Sequence, residues 1–363
     1  MPTEVAWFAA LCDDDYEFLG VPDESLRSSW QHCSDIVLGA EAAGFDNVLL
    51  PSGYELGIDA TAFAAGIAPM LSTMRLLLAV RCGELWPPQL VRQIATLDRM
   101  LGGKLAVNII SSDLPGSPLA SAPRYRRTTE IIEILRTALA GKAIDFHGEF
   151  FDITVPPPRV QPVHGRCPPL YFGGLSDEAR ECAAKGADVY LMWPDTEPTV
   201  AAIITDMTAR ARAHGRTLRF GYRVHVIVRE TESAARDAAD RLLSRLDAAT
   251  GEAIRSKSLD TQSTGARRQA ELRDAALGND GYAEEHLWTG IARARSGCGA
   301  AIVGDPDQVL SKLRRYESMG IEAFILSGYP HIAERDLFAT HVLPRLEHGQ
   351  LDFSESSDTN VTV

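Results

Sequence analysis

The 363-residue chain is 45% hydrophobic and 23% charged, with 29 glycines and 20 prolines, a composition that fits a folded globular enzyme and excludes a disordered or fibrous chain. Its 36 basic and 49 acidic residues leave a net charge of −13, which argues against nucleic-acid binding, because phosphate backbones need a basic footprint. No apolar run approaches the ~20 residues of a membrane span, and the opening Met1-Pro2-Thr3-Glu4-Val5 lacks the basic-then-apolar order of a signal peptide, so a cytoplasmic protein acting on small molecules or proteins, not at a membrane, is expected.

Short β-rich runs alternate with amphipathic stretches, the pattern of a parallel sheet covered by helices. The first run, residues 5–10, leads into the acidic turn Leu11-Cys12-Asp13-Asp14-Asp15 instead of G-x-G-x-x-G, and carboxylates there repel a pyrophosphate, so a dinucleotide-binding unit is disfavoured. A helix predicted over 25–43 stops at Gly44 and feeds a strand at 47–50. The third strand is 76–80, and a helix over 90–101, ended by Gly102-Gly103, precedes the fourth at 105–110. Residues 145–151 read as a hairpin turning at His147-Gly148.

Runs at 170–173, 189–192, 220–228 and 323–326 complete a set of about eight, the number that closes a (β/α)8 TIM barrel. Residues 1–350 are therefore read as one α/β barrel domain. From about 250 to 285 an Arg-, Ala-, Gln- and Ser-rich segment reads as a mobile helical excursion over one face. Residues 351–363 are expected to form a disordered tail. The six cysteines are scattered without a C-x-x-C pair or nearby histidines, so neither a zinc site nor a disulfide framework is expected, and no metal is assigned.

In such a barrel the active site lies at the carboxyl ends of the strands. Alternation along Gly221-Tyr222-Arg223-Val224-His225 puts Arg223 and His225 on one face; if the apolar face packs on the helices, both point into the barrel mouth. A buried guanidinium needs an anion, supplied either by a ligand or by an acidic residue of a neighbouring strand. The eighth strand ends at Tyr329 and His331, which can donate hydrogen bonds or shuttle protons, although loop tips often carry such residues on plain surface. Asn108 can bond a planar ligand or cap its own turn. Gly173, Gly174 and Ser176 precede a helix starting near Asp177 and would expose backbone N–H groups to a phosphate, with Tyr125 as a second contact; helix capping explains the same residues. Arg293 and Arg295 follow the excursion, where an arginine can close on an anionic substrate. Cys12, Tyr54 and Trp193 complete the expected substrate rim.

Residues 93–100, Leu170-Tyr171-Phe172-Gly173-Gly174, residues 220–230 and Ile325-Leu326-Ser327-Gly328-Tyr329-Pro330-His331 lie in a colinear order that spans about Trp7 to Leu343. In them the chain resembles the bacterial luciferase-like flavin monooxygenases, and among these the alkanesulfonate monooxygenases. The resemblance implies a TIM barrel that uses reduced FMN from a separate NAD(P)H-dependent FMN reductase, O2 as co-substrate, and assembly as a homodimer or homotetramer. It carries family roles to Arg223, His225, Arg295 and Tyr329, which match positions around the sulfonate and the flavin. The two arginines would neutralise the sulfonate, and His225 or Tyr329 would move protons, with oxygen carried at flavin C4a or N5. The implied reaction converts an alkanesulfonate to an aldehyde and sulfite.

The chain departs from those enzymes where Cys12 replaces a histidine, where Tyr54-Glu55-Leu56-Gly57 stands in place of a cysteine, and where Ser121 replaces a second histidine. These changes sit at the rim and bear on the substrate. Other readings on the same fold are N- or C-oxidation of a biosynthetic substrate, hydride transfer with the deazaflavin F420, and a non-enzymatic flavin or anion carrier.

Overall fold

The computed structural model describes residues 2–53, 56–114, 116–256, 263–295 and 297–354. Eight parallel strands close into a TIM barrel: β1 (Glu4–Phe8), β2 (Asn47–Leu50), β3 (Arg75–Arg81), β4 (Leu105–Ile110), β5 (Leu170–Phe172), β6 (Val189–Met192), β7 (Arg219–Val228) and β8 (Ala323–Ser327). Each pairs with the next, and β8 closes on β1 with Glu4 opposite Ala323 and Trp7 opposite Leu326. All eight coincide with the runs expected from hydrophobic patterning, with ends within about two residues.

Alternation divides each strand between two layers. Val5, Trp7, Val48, Leu50, Tyr222, Val224 and Val226 pack outward against the helices, while Ala6, Leu49, Leu77, Ala106, Val189, Ala323 and Ile325 fill the barrel. The floor of the barrel is polar. Buried Glu4 accepts from Asn47 Nδ2 at 3.0 Å, Tyr171 Oη at 2.6 Å and Arg75 Nη1 at 2.5 Å.

Several expectations need correction. The helix placed at 25–43 begins only at Trp30, because Ser28 is tied to the loop after β1: its N–H bonds Asp13 and its hydroxyl bonds the Ala10 carbonyl. Ser29 then caps the helix Trp30–Ala42 by accepting from the His32 N–H. The hairpin pairs Ile144–His147 with Asp152–Val155, so its turn spans Gly148 to Phe151 and not His147-Gly148 alone. The Glu130 carboxylate shapes that turn by accepting the N–H groups of Glu149, Phe150 and Phe151. The disordered tail drawn from residue 351 does not hold for its first three residues. Leu351 and Phe353 are buried under the barrel floor, with Arg75 and Arg219 over the Phe353 ring and Arg166 bonded to its carbonyl. Residues 355–363 lie outside the described residues.

Strand β7 is long enough to serve two partners on one edge. Arg219–Tyr222 pairs with β6, and His225–Val228 pairs with a further parallel strand, Ala301–Gly304. An antiparallel extension, Leu287–Trp288 and Tyr282–Glu284, continues the sheet outward. Between β7 and this extension run the helices Glu232–Leu243, Ala248–Ser256 and Thr264–Ala276. The last is anchored by Arg268, which makes a two-pronged pair with buried Asp195 at 2.6 and 2.8 Å. Among the described residues no helix is long and apolar enough to cross a membrane.

Candidate active site

The inward positions that fill the barrel continue upward into a cavity of about 850 Å³ at the carboxyl ends of the strands, a size typical of small-molecule sites. Phe8, Arg81, Asn108, Leu191 and Arg223 line it from β1, β3, β4, β6 and β7, and Tyr329 from the loop just after β8. The loop after β1 contributes Cys12 to Tyr16, and Thr250, Ala253 and Ile254 of the helix Ala248–Ser256 roof it.

Arg223 is 3% exposed. Its Nη1 donates to the carbonyls of Val224 at 3.1 Å and Ile325 at 3.4 Å, and its guanidinium carbon stands 4.4 Å from the centre of the Phe8 ring. Nη2 is buried with no partner, and Arg223 makes no ion pair among the described residues. The internal pairing that the sequence left open is therefore not the arrangement found. Burial pulls its proton affinity below the ordinary arginine value, and the nearby Arg295 charge adds to the shift.

Arg295 is differently placed. Its Nη1 lies 2.7 Å from Asp14 Oδ2 and donates to Tyr329 Oη at 2.8 Å. It reaches the cavity as half of an ion pair and not as a free cation, which corrects the picture of two arginines open to one sulfonate. Burial raises the Tyr329 phenol well above its ordinary range, against the pull of Arg295, and keeps it protonated. Arg293 lies in the short turn Gly290–Arg293, outside the cavity lining.

His225 is fully buried and does not line the cavity. Its Nε2 lies 3.2 Å from the Cys298 carbonyl and must donate there, which leaves Nδ1 to accept from Ser327 Oγ at 2.7 Å. Burial, then Arg223 and Arg295, hold its pKa well below the usual histidine value, so it is neutral. Its ring packs against Tyr329 with centroids 5.0 Å apart. His331 is also buried off the cavity, between Phe8 and Tyr329, with neither ring nitrogen hydrogen-bonded among the described residues.

Asn108, Cys12 and Trp193 lie on the cavity wall. Burial pushes the Cys12 thiol up to about 12, with Asp14 adding to the effect. Trp193 stands between Gly265 and Gly297, where an added Cβ would come within 2.9 and 3.4 Å of its ring. Tyr54 falls outside the described residues. The glycine loop is separate from the cavity lining. Gly173 lets β5 approach β6, since a Cβ there would sit 2.1 Å from the Leu191 carbonyl oxygen, and Ser176 caps the helix Asp177–Gly186 by accepting from the Ala179 N–H. Tyr125 adjoins this loop, its hydroxyl 3.5 Å from where a Gly174 Cβ would stand.

The sequence reading missed Arg81 and Asp14. Arg81 is 5% exposed, with Nη2 on the Ser52 carbonyl at 3.1 Å and Nη1 unpartnered among the described residues. Extending the third strand by one residue would have put Arg81 on the inward face with Leu77 and Ala79. Asp14 carries no sequence signal beyond its place in the acidic turn.

The family model for luciferase-like monooxygenases matches residues 18–323. The chain is similar to the sulfoquinovose monooxygenase of Novosphingobium aromaticivorans, with 64% identity over 356 residues covering 96% of this chain and 98% of the relative. It is similar also to the sulfoquinovose monooxygenase of Agrobacterium fabrum, with 52% identity covering 95% of this chain and 90% of the relative. Among solved structures, the EDTA monooxygenase of Chelativorans sp. BNC1 superposes with a TM-score of 0.77 at 17% identity, covering 98% of this chain and 97% of that one, which reflects a shared fold. The chain thus belongs to the luciferase-like monooxygenase family and is an enzyme, a flavin-dependent monooxygenase.

Proposed function

We propose that this enzyme desulfonates a sulfonated hexose, sulfoquinovose, using O2 and reduced FMN delivered by a separate NAD(P)H-dependent reductase. The C–S bond breaks, the carbon becomes an aldehyde, and sulfur leaves as hydrogensulfite. One oxygen atom of O2 enters the cleavage products and the other leaves as water, while reduced FMN leaves as FMN. A sugar thereby replaces the alkanesulfonate implied by the family resemblance. Two considerations favour it: the relatives named above are sulfoquinovose monooxygenases, and Asp13, Asp14, Asp23, Glu24 and Ser52 on the cavity wall match hydroxyl groups that an alkyl tail lacks.

The observation that carries the reading is the buried Arg223 guanidinium on the cavity wall, whose Nη2 has no hydrogen-bond partner among the described residues. It binds the sulfonate, since a desolvated cation without a counter-ion is stabilised by an anionic ligand. The cavity volume, Asn108 and the unpartnered Nη1 of Arg81 fit a planar flavin beside a small anion. When bound, reduced flavin supplies the electrons that activate O2. Tyr329 accepts from Arg295 and so has its own O–H free to donate, as a phenol, toward the reacting atoms. Of the two proton handlers suggested by sequence, Tyr329 takes that role. His225 spends both nitrogens on Cys298 and Ser327 and positions the Tyr329 ring.

A coupled assay with NADH, FMN and a flavin reductase, scoring sulfite from sulfoquinovose and from alkanesulfonates of several lengths, tests the proposal. Sulfite from sulfoquinovose that needs O2 and is lost in Arg223→Ala supports it. Consumption of reduced flavin with no sulfite from sulfoquinovose refutes it.

A further inference from the structure

Asp14 is tied down on one side only. Its Oδ2 pairs with Arg295 Nη1 at 2.7 Å, whereas Oδ1 is buried and meets no donor among the described residues. The carboxylates on either side differ. Asp13 Oδ1 accepts the Ser28 N–H at 2.7 Å. Asp15 Oδ1 accepts the N–H groups of Tyr16 and His331, both at 2.9 Å, and Asp15 Oδ2 lies 2.8 Å from His32 Nε2. Of three consecutive aspartates, Asp14 alone keeps a desolvated oxygen without a donor, and such oxygens are rare in folded proteins unless a ligand or water serves them.

Asp14 and Arg223 line the same cavity. The guanidinium carbons of Arg223 and of Arg295, the partner of Asp14, lie 4.4 and 5.7 Å from the centre of the Phe8 ring. The unpaired cationic N–H and the unpaired anionic oxygen thus belong to two residues of one cavity wall, Asp14 being linked through Arg295 to the same aromatic side chain that Arg223 covers. We infer that Asp14 Oδ1 accepts a ring hydroxyl of the substrate whose sulfonate Arg223 binds, which makes Asp14 the residue that selects polyhydroxylated over alkyl sulfonates. The inference rests on the proposed desulfonation of a sulfonated hexose.

The selectivity follows from what each ligand does to the orphan oxygen. A sugar hydroxyl donates to it, whereas an alkyl chain leaves it as unsatisfied as folding does. Sites built around a buried polar group reject analogues that cannot satisfy it more strongly than apolar pockets reject a change of size. The Arg295 pairing contributes by fixing the carboxylate, so that Oδ1 keeps a constant direction.

The test compares wild type with Asp14→Ala and Asp14→Asn, using sulfoquinovose and hexane-1-sulfonate. Two readouts are taken: sulfite release in the coupled assay, and binding of each sulfonate by calorimetry under anaerobic conditions with reduced FMN present. Asp14→Ala is expected to weaken binding and kcat/KM for sulfoquinovose by about 10- to 100-fold more than those for hexane-1-sulfonate. Asp14→Asn keeps the shape and an acceptor oxygen, so its loss with sulfoquinovose is expected to be smaller. Equal losses with both ligands would mean that Asp14 acts only by holding Arg295, and no loss with sulfoquinovose would mean that Oδ1 is not an acceptor; either overturns the inference. Should wild type bind sulfoquinovose more tightly than hexane-1-sulfonate, with the preference lost in Asp14→Ala, yet release no sulfite, the proposed reaction fails and the role of Asp14 stands.

Discussion

Arg223→Met should make the protein more stable and less active. The guanidinium is 3% exposed and lacks a carboxylate partner among the described residues, so folding strips it of water without an anion in return. For a buried ion that penalty is several kcal/mol. Contact with the Phe8 face at 4.4 Å returns about 1–2 kcal/mol, and the carbonyl bonds to Val224 and Ile325, at 3.1 and 3.4 Å, offset part of the rest. Methionine is apolar and of similar reach, and it removes the desolvation cost while keeping most of the packing. The expected net gain is about 1–3 kcal/mol, which for a chain of this length raises Tm by roughly 1–4 °C. Loss of a buried charge pair to the sulfonate should meanwhile lower kcat/KM for sulfite release by about a hundredfold or more. Thermal unfolding with and without sulfoquinovose measures both sides: the ligand should raise Tm of wild type and leave that of the variant unmoved. A variant that melts several degrees below wild type, or that still releases sulfite at the wild-type rate, would refute the argument.

His225 is held neutral by burial and by Arg223, so below about pH 6.5 the unfolded chain gains a proton that the folded chain refuses. Stability is full above that pH and declines with acid, by about 2 kcal/mol from this residue at pH 5, and Tm of His225→Gln should fall less steeply between pH 7 and 5; an equal slope would contradict it. With its thiol pushed up to about 12 by burial, Cys12 is a thiolate in only about one molecule in ten thousand at pH 8, so iodoacetamide followed by mass spectrometry should label it slowly in the native protein and fast in denaturant. Gly173→Ala puts a Cβ 2.1 Å from the Leu191 carbonyl oxygen and forces β5 from β6, with an expected loss of about 2–4 kcal/mol by thermal or urea unfolding; a wild-type Tm would show that the strands separate freely.

The barrel strands were legible because burial imposes strict periods on them. The inward parity of β7 identifies Arg223, and the same parity on β3 identifies Arg81 once the strand is carried one residue further. What patterning could not reach were contacts fixed by single side chains distant in sequence. Nothing near Ser25 signals that Ser28 will be held by Asp13 and Ala10 and delay the helix to Trp30. Nor does the composition of residues 351–353 signal that Arg75, Arg166 and Arg219 wait to receive them. The pairing of Arg295 with Asp14 lies in the same class, because the partners are 281 residues apart and meet only through the closed barrel.

The two ends of the barrel interior carry charges of opposite fate. At the floor, Glu4 is surrounded by Asn47, Arg75, Tyr171 and the Leu351 N–H, and the C-terminal residues 351–353 close it over, so the buried charge is matched by donors of the chain itself. At the mouth, Arg223 is buried to a similar degree and Asp14 partly buried, but each keeps a buried atom that no group among the described residues satisfies. A fold selected for stability alone would have paired them, and Arg295 shows that a pairing geometry is within reach of that loop. At the end where a ligand can enter, the proposed anion and hydroxyl would gain what folding left undone. The floor matches its Glu4 charge within the chain, and the mouth holds in reserve the interactions proposed to bind substrate.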